Sequence, residues 1–233
     1  MLSKLIRDLE NNKNKKQAEI LQRFFKTGKG EYGEGDIFMG IKVPVQRSVC
    51  KRYDLELKDI QKLLNSKIHE HRLCGLFCLI NKYKKDESLK KKIFNFYLKN
   101  AQRVNNWDLV DLSAPNILGD YLLNQKDKRI LYLLARSKNL WEKRIAMVST
   151  YTFIKNNKFG EGFEIAEILL KDEHDLIHKA VGWMLREIGK RDIKALESFL
   201  KKYYKEMPRT MLRYSIEKFP ELKRKKILIG KWI

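Results

Sequence analysis

The chain has 233 residues, and its 50 lysines and arginines outnumber its 29 aspartates and glutamates, which gives a formal net charge of +21 at pH 7. A hydrophobic content of 43% is sufficient for a folded core, which excludes a wholly disordered chain. So large a positive charge indicates an anionic partner, and nucleic acid is the expected one. The alternative is a lysine-rich surface that serves only solubility.

The cysteines and the amino-terminal region indicate the compartment. Cys50, Cys74 and Cys78 form neither an even disulfide framework nor a CxxC motif, and the last two lie four apart in an apolar run. We therefore predict small buried side chains in a reducing compartment. The first residues are charged from Lys4 onward, and no apolar run approaches the ~18 residues of a membrane helix. A soluble, cytoplasmic protein is predicted, associated with the nucleoid when bound to DNA.

Helical periodicity extends through most of the chain. One helix is predicted after Ser3, a second from about Lys15 to Lys26, and a third begins at Pro44, a residue that suits a first helical turn. Further helices are predicted near 56–65, 69–84, 87–101, 106–121, 126–137, 140–156, 161–171, 175–190, 193–205 and 208–218. No alternating run is long enough to indicate a strand, so we predict an all-α fold.

The glycine-rich stretch before the third helix resembles a nucleotide-binding motif. A G-x-G-x-x-G pattern is formed by Gly28, Gly30 and Gly33. The dinucleotide-binding form requires a preceding strand, whereas a lysine-rich helix precedes this stretch. Glu31, Glu34 and Asp36 would also repel a pyrophosphate. The stretch is therefore predicted to be a flexible connector, with residues 36–43 leading into the next helix.

Five segments share one pattern of polar and apolar residues. They are RLCGL, DLVDL, RIAMV, KAVGW and TMLRY, and they start at Arg72, Asp108, Arg144, Lys179 and Thr210. These starts lie 36, 36, 35 and 31 residues apart. A period in this range with two helices per unit predicts an α-solenoid with a curved surface. Any amphipathic helix matches so loose a pattern, but four successive near-equal intervals favour a true repeat.

The repeat predicts a basic stripe across successive helices. Its candidate DNA-contacting residues are Arg72, Lys143, Arg144, Lys179, Arg186 and Arg213. A concave basic surface has the shape and charge that a duplex backbone requires. The alternative for each cation is an ordinary solvated helix face.

One aromatic–carboxylate pair interrupts this stripe. Trp107 and Asp111 lie four apart in VNNWDLVDLSA and so share one helix face. The helix dipole explains Asp108, which is in the first turn, but Asp111 lies deeper. Asp111 is either a surface or arginine-paired aspartate, or a fixed anion that stabilises a cation beside an aromatic face. Trp183 is a second candidate for that face, although a mid-helix tryptophan is more often a core residue.

Other kinds of site have little support. His174 and His178 lie four apart, but no cysteine or carboxylate accompanies them at metal-binding spacing. The chain has no HExxH, G-x-S-x-G or Walker lysine motif. We predict neither a metal nor a cofactor.

Several segments resemble the DNA alkylation repair family, the AlkD-like DNA glycosylases with HEAT-like repeats. The segments are MGIKVPVQR, NNWDLVDLSAPNILGDYLL, LWEKRIAM, HKAVGWMLREIGKRD and MPRTMLRYSIEKFP. They follow the family order and cover the chain from about Ala18 to Pro220. The resemblance implies a right-handed α-α superhelix of HEAT-like repeats with a concave basic face that binds DNA. We predict one domain over residues 1–233, in which the charge run at 223–226 belongs to a basic tail at 221–233.

The resemblance also implies an activity and roles for individual residues. The implied reaction is hydrolysis of the N-glycosidic bond of cationic N3- or N7-alkylated purines in duplex DNA, without base flipping, by a monomer. By similarity, Asp111 is the catalytic carboxylate, and Trp107 and Trp183 form an aromatic cleft. Arg144 and Arg186 are similar to family arginines that contact DNA, and Phe24 to an aromatic residue near the cleft.

One position departs from the family pattern. Asp175 and Leu176 stand where the best-known pattern has paired aromatic residues, so we expect an altered substrate range. Two other functions share the fold: a non-catalytic basic module that binds DNA or RNA, and a scaffold for a protein partner. DNA binding by the first should survive Asp111→Asn, and the second should show no salt-dependent DNA binding.

Overall fold

The computed structural model describes residues 1–232 and is all-α. Its α-helices are α1 (Leu2–Glu10), α2 (Lys15–Phe24), α3 (Val43–Lys51), α4 (Leu57–Leu64), α5 (His69–Lys85), α6 (Lys90–Lys99), α7 (Trp107–Ser113), α8 (Asp120–Leu123), α9 (Arg129–Ala135), α10 (Leu140–Lys155), α11 (Gly160–Ile168), α12 (Asp175–Gly189), α13 (Ile193–Tyr203), α14 (Arg209–Ser215) and α15 (Glu221–Leu228). Short 3₁₀-helices span Glu87–Leu89 and Ala101–Arg103, and a π-helix spans Pro115–Gly119. Within residues 1–232 the only β-type pairing is one isolated bridge, between Ile37 and Ile68.

The predicted helices agree with this structure to within a few residues, except that the one predicted near 106–121 is divided. α7 ends at Ser113, and the π-helix that starts at Pro115 separates it from α8. Proline cannot donate a backbone hydrogen bond, so the regular spacing is disturbed. The Gly119 N–H instead donates to the Ala114 carbonyl five residues back, at 2.9 Å.

The chain divides into two compact units, Met1–Ser113 and a second that begins at Ala114. In the first unit α5 is the central helix, buried along most of its length and packed against α3, α4, α6 and α7. In the second unit α10 packs against α9, α11 and α12, and α12 also packs against α13 and α14. The core of each unit thus lies around long helices that the apolar pattern predicted.

The five similar segments fall on α5, α7, α10, α12 and α14. Within the first unit α5 packs on α7, and within the second α12 packs on both α10 and α14. The pattern therefore identified helices that pack side by side, as repeated units must to bury their apolar faces. The all-α fold is confirmed, whereas the superhelical path stays a prediction.

The segment predicted as a flexible connector is partly buried and firmly held. Glu70, only 1% exposed, accepts hydrogen bonds from the backbone N–H groups of Met39, Gly40 and Ile41 at 3.0, 2.8 and 3.3 Å. Flexibility is therefore the wrong prediction for residues 39–41, because a carboxylate on α5 satisfies their buried N–H groups.

Other expectations can be compared directly. Cys50, Cys74 and Cys78 are buried and free, as predicted. The predicted basic tail contains α15, whose Ile227 is buried, and its last residue, 233, lies outside the described residues. In the described part of the chain, no helix is both long enough and apolar enough to span a membrane.

Candidate functional site

Trp107 is the first residue of α7 and is held in an aromatic cluster. The side-chain oxygen of fully buried Asn106 accepts the Trp107 backbone N–H at 2.8 Å. The indole stacks on Phe25, with ring centroids 5.1 Å apart and planes 9° apart. Phe24 meets the same indole edge-on at 5.9 Å, and its side chain is 61% exposed. The predicted aromatic residues Phe24 and Trp107 therefore lie together on the surface of the first unit.

Asp111 lies one turn after Trp107 on α7 and is half-buried. Its negative charge affects the pKa of the buried Tyr97 phenol. Burial raises the pKa of Tyr97, the hydrogen bond with Ser113 lowers it, and the Asp111 carboxylate raises it further. A carboxylate partly shielded from water interacts more strongly with a nearby charge than one in bulk solvent. The candidate catalytic carboxylate thus shares its helix with the stacked indole.

Asp108 has a role that sequence reasoning missed. One of its oxygens accepts the Leu109 backbone N–H at 2.9 Å, which agrees with the predicted helix-end role. The other lies 2.8 Å from Nε2 of His69, a side chain only 2% exposed. Nδ1 of His69 lies 3.2 Å from Asp36. No local pattern links these residues, because His69 and Asp108 are 39 positions apart.

Arg72 requires a correction. It was predicted to contact DNA, but its side chain is only 3% exposed. Its guanidinium donates to Asp36 at 2.6 Å and to the Ser66 carbonyl at 2.9 Å. A buried carboxylate requires a partner cation, so Arg72 compensates Asp36 inside the first unit. We leave it out of the DNA-contacting set.

The predicted cations of the second unit are mostly paired. Lys143 pairs with Asp172, Lys179 with Asp175 at 2.7 Å, and Arg186 with Glu217. These pairs reduce the charge presented to solvent. Of the three, Lys179 and Asp175 are both well exposed, and such a pair is weak enough for a phosphate to compete with it. Their contact with DNA stays a prediction.

Arg144 and Arg213 differ in exposure. Arg144, on α10, is 5% exposed and donates to the Leu176 carbonyl at 2.6 Å. Arg213, on α14, is exposed. Arg213 is therefore the better placed of the two to meet a phosphate without rearrangement.

The position that departs from the family pattern, Asp175 and Leu176, also has a structural role, because Leu176 supplies the backbone carbonyl that Arg144 binds.

Trp183 lies in the second unit, half-buried on α12. Tyr151, on α10, packs against it with ring centroids 5.9 Å apart and an angle of 36°. Sequence reasoning missed Tyr151, since aromatic residues on core-forming helices carry no signal that separates a site from a core. The role of Trp183 in a site stays a prediction.

In the glycine-rich stretch, backbone N–H groups donate to carboxylates of the same stretch. The Gly28 N–H donates to Glu31 at 2.9 Å, and the Gly30 N–H donates to Glu34 at 2.8 Å. A phosphate-binding loop must leave such N–H groups available to the ligand. These contacts favour the interpretation against a nucleotide loop.

The histidine pair of α12 also has structural partners. His174 caps α12 by accepting the Leu176 N–H, and His178 contacts the Asp172 carbonyl. Among residues 1–232, no group of three histidine, cysteine, aspartate or glutamate side chains is arranged to hold a metal ion.

Comparisons with known proteins agree with this architecture. A family model described as DNA alkylation repair enzyme matches residues 5–219. Among solved structures, the chain is similar to a predicted DNA alkylation repair enzyme from Enterococcus faecalis, with a TM-score of 0.69 over 90% of this chain and 98% of that one. The two sequences are 16% identical, so this similarity shows the fold. No curated protein matches the chain.

Proposed function

The chain belongs to the DNA alkylation repair enzyme family, and on that premise we propose that it is a DNA glycosylase. The family implies DNA repair and a DNA partner. The proposed reaction is hydrolysis of the N-glycosidic bond of cationic N3- or N7-alkylated purines in duplex DNA, without base flipping. The substrate class comes from the family resemblance and from the chemistry available on α7.

One observation carries the proposal: Asp111 lies one turn from Trp107, whose indole is stacked on Phe25. Both side chains project from one short helix and share one face. Stacking restricts the indole, so its face is in place before a substrate arrives. A charged group and an aromatic face arranged in this way can stabilise a positive charge.

Hydrolysis of the proposed substrates requires little catalytic machinery beyond a carboxylate and an aromatic face. An alkylated purine that is already cationic can leave without a general acid, and the sugar then passes through an oxocarbenium-like state. Asp111 stabilises that developing cation by Coulomb attraction and orients the attacking water. Trp107 adds cation–π stabilisation.

The remaining predicted residues serve DNA binding in this proposal. Arg213, Arg144, Arg186, Lys143 and Lys179 contact phosphates, and the overall positive charge steers the duplex. Trp183 and Phe24 retain the aromatic roles that the resemblance implies. The localisation in the cytoplasm and the monomeric state remain predictions.

The test is release of free base from duplex DNA that carries 7-methylguanine or 3-methyladenine. Wild-type protein should release the base, and Asp111→Asn should do so about 100-fold more slowly or worse, because the amide removes the charge that the transition state requires. Asp127→Asn is the matched control, since Asp127 is an exposed carboxylate paired with Arg129. Its rate should equal that of the wild type.

Two outcomes would overturn the proposal. Tight DNA binding without base release by the wild type would favour the non-catalytic binding module. Equal release by Asp111→Asn and the wild type would remove Asp111 from the reaction, whatever its place on α7.

A further inference from the structure

His69 bridges two carboxylates in the buried interior of the first unit. Nε2 lies 2.8 Å from Asp108, and Nδ1 lies 3.2 Å from Asp36. A carboxylate only accepts hydrogen bonds, and both ring nitrogens donate only in the protonated imidazole. Because either neutral tautomer would leave one ring nitrogen without a proton to donate, the geometry indicates that His69 is a protonated imidazolium.

The electrostatic surroundings agree with this charge. Burial opposes protonation of His69, but the charge and hydrogen bond of Asp108, with the hydrogen bond of Asp36, outweigh it and raise the pKa to about 9. Arg72 is a second cation beside this cluster, and it lowers the His69 pKa. His69 and Arg72 together balance Asp36 and Asp108, so loss of the His69 proton leaves a buried negative charge uncompensated.

The bridge ends at the start of α7. Asp108 is the second residue of that helix, and Asn106, which caps Trp107, also donates to Asp36 at 3.4 Å. Trp107 therefore lies between Asn106, which binds Asp36 directly, and Asp108, which is linked to Asp36 through His69. These contacts tie the start of α7 to Asp36 and His69.

The same imidazolium also supports the aromatic cluster. Phe38 stacks on His69 with ring centroids 4.5 Å apart, and Phe25 contacts His69 at 5.0 Å. Phe25 in turn stacks on Trp107. A cation against these ring faces strengthens the packing, and that contribution disappears when the imidazole is neutral.

We propose that His69 is a positioning residue for the reaction, because its bridge from Asp36 to Asp108 fixes the helix start that carries Trp107 and Asp111. This inference rests on the proposed function and adds a residue that does not touch the substrate. The protonated form is the competent one. Base release should therefore slow as the pH rises through about 9 and His69 loses its proton.

The test compares single-turnover rates of base release for the wild type, His69→Gln and His71→Gln from about pH 6 to about pH 10. At neutral pH, His69→Gln should be about 10- to 100-fold slower, as expected for a misplaced catalytic group. Its DNA affinity should be unchanged, and its rate should lack the alkaline decline of the wild type. A loss of DNA affinity without a loss of rate would overturn the proposal.

His71 is the matched control, being a second buried histidine on α5 whose pKa burial lowers, so it is neutral. His71→Gln should retain both the wild-type rate and the alkaline decline. An equal loss in both variants would mean general disruption of α5 and would overturn the proposal. A wild-type rate and pH profile in His69→Gln would also overturn the proposal.

Asp108→Asn provides a second route if His69→Gln does not fold. It weakens the bridge at its other end and removes the charge that raises the His69 pKa, so it should slow release and move the alkaline decline to lower pH. The double variant should be no slower than the slower single variant. Additive losses would contradict a shared bridge.

Failure of the glycosylase assignment is distinguishable from failure of this inference. If the wild type releases no base, the proposed function fails, and the Trp107 indole N–H signal in NMR becomes the readout. That signal should shift near pH 9 in the wild type and not in His69→Gln. No shift in the wild type would overturn the positioning role.

Discussion

Glu70 shows at the scale of one residue how a buried carboxylate organises a segment without secondary structure. Its two oxygens accept three backbone N–H groups from residues 39–41. Gly40, in the middle, has a φ of +79°, and a Cβ there would lie 2.1 Å from the Asn14 carbonyl oxygen. Charge, hydrogen bonding and close backbone approach therefore hold this segment against α5 and α2 together.

Glu70→Ala should reduce the free energy of unfolding by about 3 kcal/mol or more, because it leaves several buried N–H groups without an acceptor. Glu70→Gln keeps one acceptor oxygen and should lose less. Urea unfolding followed by circular dichroism measures both values. Glu34→Ala is a control, since Glu34 is exposed and accepts one N–H, that of Gly30. Similar losses for Glu34→Ala and Glu70→Ala would contradict this account.

The sequence-based predictions for Trp107, Asp111 and Arg72 had different outcomes in the structure. Helical spacing correctly put Trp107 and Asp111 on one helix, since a period of 3.6 residues is a local property. The repeat frame put Arg72 in the basic stripe, yet Arg72 is buried against Asp36. The partner lies 36 positions away in a glycine-rich stretch, so no periodicity could reveal the pair.

At the scale of elements, α12 depends on close approach to α14. A Cβ added at Gly182 would lie 2.5 Å from the Tyr214 Cβ and 2.6 Å from the Met211 carbonyl oxygen. Only a residue without a side chain lets the two helices pack at this separation. The neighbouring residue on α12 is Trp183, so this packing also sets the position of that indole.

Gly182→Ala should destabilise the protein by about 1–3 kcal/mol, because two backbones cannot easily move apart in a packed core. The gain in helix propensity offsets part of the loss. Gly160→Ala is the control, since Gly160 also lies in a helix but has no atom within 4 Å of the added Cβ. Its thermal stability should be unchanged or slightly higher. Loss of stability only in Gly160→Ala would contradict the packing argument.

At the scale of the whole molecule, we expect the net charge of +21 to dominate the interaction with DNA that the family implies. Much of the positive charge in the second unit is already engaged in ion pairs, as with Lys143 and Asp172. Association with a duplex should therefore combine general attraction with a limited number of direct phosphate contacts. Its dependence on salt separates these contributions.

Affinity for undamaged duplex should fall by roughly 500-fold between 50 and 200 mM salt, as expected for about five phosphate contacts. Arg213→Ala should reduce the slope of log affinity against log salt by about 1. Arg129→Ala is the control, because Arg129 is an exposed arginine outside the predicted DNA-contacting set, and the slope should be unchanged. Fluorescence anisotropy measures all three proteins. Binding that is insensitive to salt would contradict a phosphate-based interface.

Local sequence patterns were enough to predict the all-α fold, most of the helices to within a few residues, and the shared helix of Trp107 and Asp111. They did not predict the break at Pro115 or helix α15. Those features depend on spacing over a few turns, which periodicity records directly. The burial of Arg72, the Glu70 contacts and the His69 bridge join residues about 30 to 40 positions apart. They follow from the way helices and connector pack in three dimensions, where each buried charge must find a partner and no short pattern specifies which one.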